Sequence, residues 1–311
     1  MSSFWVFPGQ GAQQPGMLHT LPADPLVGEC LREASDALNE DVLALDTPDA
    51  LGSTRAVQLC LLIAGVACSR VLMAQNCTPD YVAGLSIGAY PAAVIAGALS
   101  FSDAVRLVSL RGELMQDAYP QGYGMTALIG LDQTTVENLV SQVHSPDTPV
   151  YLANINADNQ FVIAGSDQAM ARVAALAKEQ GAAAAKRLAV SVPSHCELLS
   201  EPAKTLAEAF AQVSVQVPTL RYLSGSTARP VLNADKLRDD LAFNMCRVID
   251  WRSTVQTAYE RGARLHIELP PGTVLTGLAR RVFEQGSAVA FQGARLDTLS
   301  ALSQEEERRH P

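Results

Sequence analysis

The chain lacks a leader-like start: MSSFWVFPGQG opens without a basic segment or a long apolar stretch, so a secretory signal is not expected. Its six cysteines, Cys30, Cys60, Cys68, Cys77, Cys196 and Cys246, form no CxxC pair and no metal-ligand spacing. Their scarcity and scatter exclude a disulfide scaffold or a zinc ribbon, and fit buried, reduced thiols in a cytoplasmic protein. No apolar run is long enough to span a bilayer; the longest, Leu59 to Cys68, reads as a core helix, and no membrane is expected as a partner. Positive charge is also short. The 23 Lys and Arg against 32 Asp and Glu give a formal net charge of −9, which argues against a broad surface for nucleic acid or anionic lipid. What remains is a local basic cluster, Lys186, Arg187, Arg280 and Arg281, as a candidate dock for an acidic partner. No repeat or low-complexity segment occurs. No Gly-Lys-Ser/Thr follows the glycines of FPGQGAQQPGM, so a phosphate loop is not expected there.

What is present fits a folded α/β protein. The 311 residues are 48% hydrophobic and 18% charged, sufficient for one large core with a smaller unit attached. Phe4 to Phe7 stops at Pro8-Gly9 and Tyr81 to Ala83 stops at Gly84, each reading as a buried strand that feeds a helix. Leu220 to Leu223 and Leu265 to Leu269 are later strand candidates, beside helical segments at 234–243 and 251–261. Strands separated by helices predict a mostly parallel sheet covered on both faces. Residues 125–190 depart from that rhythm: strand 125–129, helix 134–143, strand 150–155, a turn at Ala157-Asp158-Asn159, strand 161–164, helix 168–179, strand 186–190. This β-α-β-β-α-β order is ferredoxin-like. The expected division is therefore a large α/β domain, 1–122 and 192–311, and a ferredoxin-like subdomain, 123–191, with a cleft where they meet. The charged tail, Glu305 to Pro311, is expected to fray.

Four elements carry chemistry. Gly84-Leu85-Ser86-Ile87-Gly88 follows a strand and precedes a small-residue helix, the setting of a nucleophile elbow, in which the Ile87 amide is the first oxyanion donor. SVPSHCELL places Ser194 and Glu197 as a capping box, with His195 in the first turn of a helix where the imidazole stays neutral; an ordinary surface histidine at a helix start is the alternative. Arg111 falls on the apolar face made by Ala104, Leu107, Val108, Leu114 and Met115. A buried guanidinium needs an anion, so it either pairs with a buried carboxylate of the chain or clamps a substrate carboxylate. The loop FPGQGAQ offers backbone amides that complete an oxyanion hole.

FPGQGAQ, GLSIGAYPAAVIAGAL, SDAVRLVSLRGELMQ, NQFVIAG, VSVPSHCELL and PPGTVLTGLARR, in that order, resemble the malonyl-CoA:acyl-carrier-protein transacylase family over nearly the whole chain. The resemblance implies an α/β-hydrolase-like core with a mostly parallel sheet plus an inserted ferredoxin-like subdomain. It implies an acyltransferase in which Ser86 is the nucleophile, His195 the base, Arg111 the partner of the malonyl carboxylate, and the Gln10 and Ile87 amides the oxyanion hole. A main-chain carbonyl, by spacing to Trp251 that of Asn244, would orient His195, so the Asn244 side chain would matter less. Gln58 resembles a pocket glutamine. No metal and no cofactor is implied; malonyl-CoA and the CoA-derived arm of an acyl carrier protein enter as substrates. The usual Gly-His-Ser-x-Gly-Glu elbow has Leu85 and Ala89 here, which, with TRAVQLCLLIAGVA and AYPQGYGM, is more like the epsilon subunit of malonate decarboxylase, with that complex's other subunits as partners. The alternative is a transacylase of fatty-acid or polyketide synthesis. A serine esterase would place its histidine late and has no use for Arg111, and an inactive carrier-docking subunit would have lost Ser86 or His195.

Overall fold

The structure, a computed structural model, describes residues 2–309. Strand β1 (Ser2–Phe7) leads through a loop to α1 (Pro25–Leu38), which the Asp24 side chain caps by accepting from the Leu26 amide. Helix α2 (Thr54–Ala74) extends the apolar run at both ends and is buried on nearly every face. Thr54–Met73 is thus long and apolar enough to cross a membrane, against the length expected from sequence, but that stretch is 89% buried inside the protein. Strand β2 (Tyr81–Gly84), α3 (Ala89–Ile95) and α4 (Phe101–Ala118) follow. Next come β3 (Tyr123–Ile129), α5 (Gln133–Val143), β4 (Val150–Ala157), β5 (Gln160–Ser166), α6 (Asp167–Glu179) and β6 (Ala184–Arg187). The chain closes with α7 (Ser200–Phe210), β7 (Arg221–Tyr222), α8 (Ala234–Phe243), β8 (Ile249–Asp250), α9 (Trp251–Glu260), β9 (Ala263–Glu268), α10 (Val274–Ala279), β10 (Ser287–Ala290) and α11 (Leu296–Arg309).

The larger sheet has the order β10-β9-β1-β2-β7, with every neighbouring pair parallel. Its central strand explains why both faces are covered. Successive side chains of a strand point to opposite faces. Trp5 and Phe7 accordingly enter the core with α2, α3 and α4, while Phe4 and Val6 pack with Trp251, Val255 and Leu275 on the other side. Sandwiched this way, β1 and β2 bring their C-terminal ends, Phe7 and Gly84, side by side.

The smaller sheet has the order β6-β3-β5-β4-β8. β3 pairs antiparallel with β5 and β6, β4 antiparallel with β5, and a two-residue turn at Asp158-Asn159 joins β4 to β5. The fifth strand, β8, comes from outside residues 123–191, lies parallel to β4 and runs directly into α9. One register thus ties the small sheet to the helices of the large one. β6 ends at Arg187 rather than Val190, and beyond it Leu188 and Val190 pack beside Met125 and Cys196. The tail also differs from expectation: α11 runs through Arg309, anchored by Leu296, Leu299 and Leu302 against the main core. Of the segment expected to fray, His310 and Pro311 lie outside the described residues.

Candidate active site

The site is built where β2 ends. Ser86 has φ 59°, a left-handed backbone that side-chain-bearing residues adopt rarely and at a cost. The sharp turn is possible because of its glycines. A Cβ on Gly84 would strike the backbone of Gly88 and Ala89, and one on Gly88 would strike the main chain of Phe7 and Pro8. Leu85 N–H donates to Phe7 O at 3.0 Å, so the end of β1 is pressed onto the elbow. The loop after β1 stays close to the elbow at Gly9, where an added Cβ would meet Leu85 O at 2.8 Å. Ile87 lies in the short 3₁₀ turn Ser86–Gly88 that leads into α3.

Arg111 projects from the buried face of α4 and is fully buried. Nη1 donates to Gln58 Oε1 (2.8 Å); Nη2 donates to Ser86 Oγ (3.2 Å) and to Asn244 Oδ1 (2.9 Å). Its carbon lies over the Tyr90 ring at 5.6 Å. Among the described residues it has no carboxylate partner, and its Nε has no hydrogen-bond acceptor. Burial pulls its pKa below the usual arginine value, yet a guanidinium keeps its proton in a protein. A positive charge therefore sits beside the serine, held only by neutral oxygens and an aromatic face. Of the two alternatives the sequence left for Arg111, pairing with a buried carboxylate of the chain is not what the structure shows.

His195 is placed differently from the sequence expectation. It has φ 63° and lies in no helix. The 3₁₀ turn Glu197–Leu199 begins after Cys196 without a side-chain cap, and α7 starts only at Ser200, so the Ser194/Glu197 capping box does not form. The reason is that His195 is bound elsewhere: its N–H donates to Met245 O (2.7 Å) and its Nδ1 to Asn244 O (2.8 Å). A carbonyl only accepts, so Nδ1 carries the hydrogen and Nε2 presents a lone pair. Burial, assisted by the Arg111 charge, pushes the imidazole pKa from 6.5 down to about 4. Neutrality at pH 7 thus comes from desolvation and a neighbouring cation rather than from a helix N-terminus.

Asn244, in the 3₁₀ turn after α8, touches all three of these residues. Its carbonyl takes the His195 bond, its Oδ1 takes the Arg111 bond, and its Nδ2 donates to the main-chain oxygen of Ser86 (3.0 Å). The expectation that its side chain matters less is corrected by these two bonds. Gln58, from α2, also gives its Nε2 to Met115 Sδ at 3.3 Å. Tyr90, not singled out from the sequence, backs Arg111 and is fixed by its hydroxyl donating to Leu241 O (2.7 Å). An aromatic four residues beyond Ser86 on a buried helix is its one sequence signal. Among the described residues Ser86 Oγ is hydrogen-bonded to Arg111 and not to His195.

Other candidates lie elsewhere. Among the described residues His266, in the apolar run LHIEL, is buried between Phe4 and Phe283 and neither ring nitrogen has a hydrogen-bond partner. Of the basic residues expected as a dock, Arg187 is tied to Tyr123 O, Met125 O and Asp167, and Arg281 to Asn159, at the other end of the β3–β5 pair. No three His, Cys, Asp or Glu side chains gather to hold a metal ion among the described residues. The arrangement offers a serine in a strained turn, a neutral imidazole, backbone amides at a helical start and an unneutralised guanidinium. That set suits acyl transfer with an acyl group bearing a negative charge.

Comparison with known proteins agrees with this chemistry. A family model described as an acyl transferase domain matches residues 4–305. The chain is similar to the malonyl CoA-acyl carrier protein transacylase of Haemophilus influenzae, 39% identical over 292 residues, covering 92% of this chain and 93% of that protein. The solved structure of the malonyl CoA-acyl carrier protein transacylase from Coxiella burnetii superposes with a TM-score of 0.91 at 35% identity, covering 99% of this chain and 98% of that one. A malonyl-transacylase solved in complex with a type II PKS acyl-carrier protein gives a TM-score of 0.91 at 36% identity, covering 98% of this chain and 100% of that one.

Proposed function

The chain belongs to the acyl transferase family, and on that premise we propose that it transfers the malonyl group of malonyl-CoA to the thiol of an acyl carrier protein. The observation that carries this reading is Arg111: a fully buried cation, bonded among the described residues only to neutral groups, with one nitrogen on Ser86 Oγ. A malonyl thioester supplies the missing anion at the distance of one acyl chain from the attacked carbonyl.

In the reaction, His195 Nε2 takes the Ser86 proton as Oγ attacks the thioester carbonyl. The Gln10 and Ile87 amides hold the oxyanion, and CoA leaves as the thiol, with the proton returned by His195. The carrier thiol then gives its proton to the same imidazole and attacks the malonyl-serine ester, and Ser86 Oγ leaves with that proton returned to it by His195. Asn244 O keeps the imidazole in the required tautomer throughout. CoA and the carrier's prosthetic arm act as substrates, and no metal or other cofactor enters the scheme. The smaller sheet is read as a ferredoxin-like subdomain, supported by its antiparallel β6-β3-β5-β4 order. Six free cysteines support a reducing, cytoplasmic setting.

Two physiological settings share this chemistry. Leu85 and Ala89 in the elbow support the epsilon subunit of malonate decarboxylase. Full-length similarity at 39% identity to a protein named malonyl CoA-acyl carrier protein transacylase supports the free-standing enzyme of fatty-acid or polyketide synthesis, and we favour this second setting. The activity itself is tested by intact-mass measurement after malonyl-CoA is added, followed by addition of a carrier protein. A malonyl adduct that forms and then moves to the carrier is expected; an adduct that is only hydrolysed would make the protein an esterase.

A further inference from the structure

We propose that the side-chain amide of Asn244 is a positioning residue for both the oxyanion hole and acyl-group selectivity. It fixes the Ile87 amide through the Ser86 carbonyl, and it holds Arg111 without neutralising it. The inference rests on the reading that Arg111 receives the malonyl carboxylate.

The first half follows from peptide geometry. The Ser86 C=O and the Ile87 N–H belong to one planar trans peptide, so they point in opposite directions. Asn244 Nδ2 donates to that carbonyl at 3.0 Å. Fixing the oxygen fixes the N–H on the far side of the plane. The neighbouring Ser86 backbone is left-handed, where a peptide rotation would relieve strain, so a tether has something to resist. The second half follows from charge. Asn244 Oδ1 accepts from Arg111 Nη2 at 2.9 Å, and Gln58 Oε1 holds Nη1 at 2.8 Å. Both are amide oxygens. They orient the guanidinium while leaving its charge uncompensated in a buried place, where an incoming carboxylate gains most. The amide orientation is fixed by its partners, because an arginine only donates and a carbonyl only accepts. The base, meanwhile, depends on the Asn244 main chain, which side-chain substitutions leave in place.

The test compares malonyl-CoA and acetyl-CoA as donors for wild type, Asn244→Asp, Asn244→Leu and Asn244→Gln, with circular dichroism on each. In Asn244→Asp a carboxylate faces Arg111 and competes with the substrate's own. The malonyl-to-acetyl ratio of kcat/KM should fall by about tenfold or more. Asn244→Leu keeps the volume and loses the tether, so kcat should fall by about tenfold or more for acetyl as well as malonyl. Asn244→Gln retains a neutral amide, and its ratio should stay within about threefold of wild type. A wild-type ratio in Asn244→Asp overturns the selectivity role, and wild-type acetyl kcat in Asn244→Leu overturns the oxyanion role. Should Asn244→Asp not fold, the Leu and Gln variants still decide between a tether and a passive side chain. Wild-type malonyl loading in the same assay separates failure of this inference from failure of the proposed activity.

Discussion

Ser86 and His195 share an unusual backbone state, φ 59° and φ 63°, and each is bonded to Asn244, through the Ser86 carbonyl and the His195 Nδ1. Left-handed backbone at residues with side chains costs on the order of 1–3 kcal/mol each. Two such residues fastened to a third describe a site whose geometry is imposed by its surroundings. Its members should therefore respond to substitution separately and in recognisable ways.

Ser86→Ala should abolish the malonyl adduct seen by intact-mass measurement, since no other residue combines the elbow with an adjoining helical-start amide. Undiminished adduct on the variant would place the nucleophile elsewhere.

Arg111→Ala should separate substrates. A hydrogen bond to a charged group is worth roughly 1.5–3 kcal/mol, and its loss strands a buried malonyl carboxylate. Malonyl kcat/KM should then drop by on the order of tenfold to several hundredfold. Acetyl transfer should be preserved or improved. Equal loss for both substrates in a folded variant would mean that Arg111 only supports the core.

His195 must be neutral to act as base, and burial with Arg111 beside it brings its pKa down to about 4 from 6.5. The acid limb of kcat/KM should accordingly lie well below pH 6, with activity flat from neutrality to about pH 5. Removing the Arg111 charge should move that limb upward. A limb centred at the ordinary histidine value would show that the imidazole is solvated in the working enzyme.

Gly88→Ala should destroy the elbow, because the added methyl meets the main chain of Phe7 and Pro8, which cannot rotate away. The expected outcome is loss of activity with a lowered Tm, read by calorimetry. A variant with wild-type Tm and activity would show that β1 and the elbow do not press together.

His266 predicts acid sensitivity. Its folded pKa is driven by burial to about 3 from 6.5, so between those values the unfolded chain binds a proton that the folded one refuses. Stability therefore rises with pH across that window and is lost as pH falls, at about 1.4 kcal/mol per pH unit. His195 contributes in the same direction down to about 4. His266→Leu should remove its share, giving a shallower dependence of unfolding free energy on pH between 4.5 and 6.5. An unchanged slope would mean that His266 titrates normally in the fold.

Features with a local cause are legible along the chain. The continuous apolar run Phe4 to Phe7 dictates a strand buried on both faces, Gly84 to Gly88 dictates a sharp turn, and the spacing of Arg111 among Ala104, Leu107 and Val108 dictates a cation turned inward. How these pieces meet depends on packing between distant segments. The bonds that assemble the site join residues 49, 133 and 158 positions apart, and no periodicity or propensity reports on contacts of that range. For the same reason the local signal at Ser194 and Glu197 misled. A capping box is worth about 1 kcal/mol, and the pull of the 244–245 main chain on His195 outweighs it. The small sheet shows the same limit: four of its strands are written in their own segment, while its fifth arrives from β8, because an exposed edge can pair with any strand that packing brings alongside.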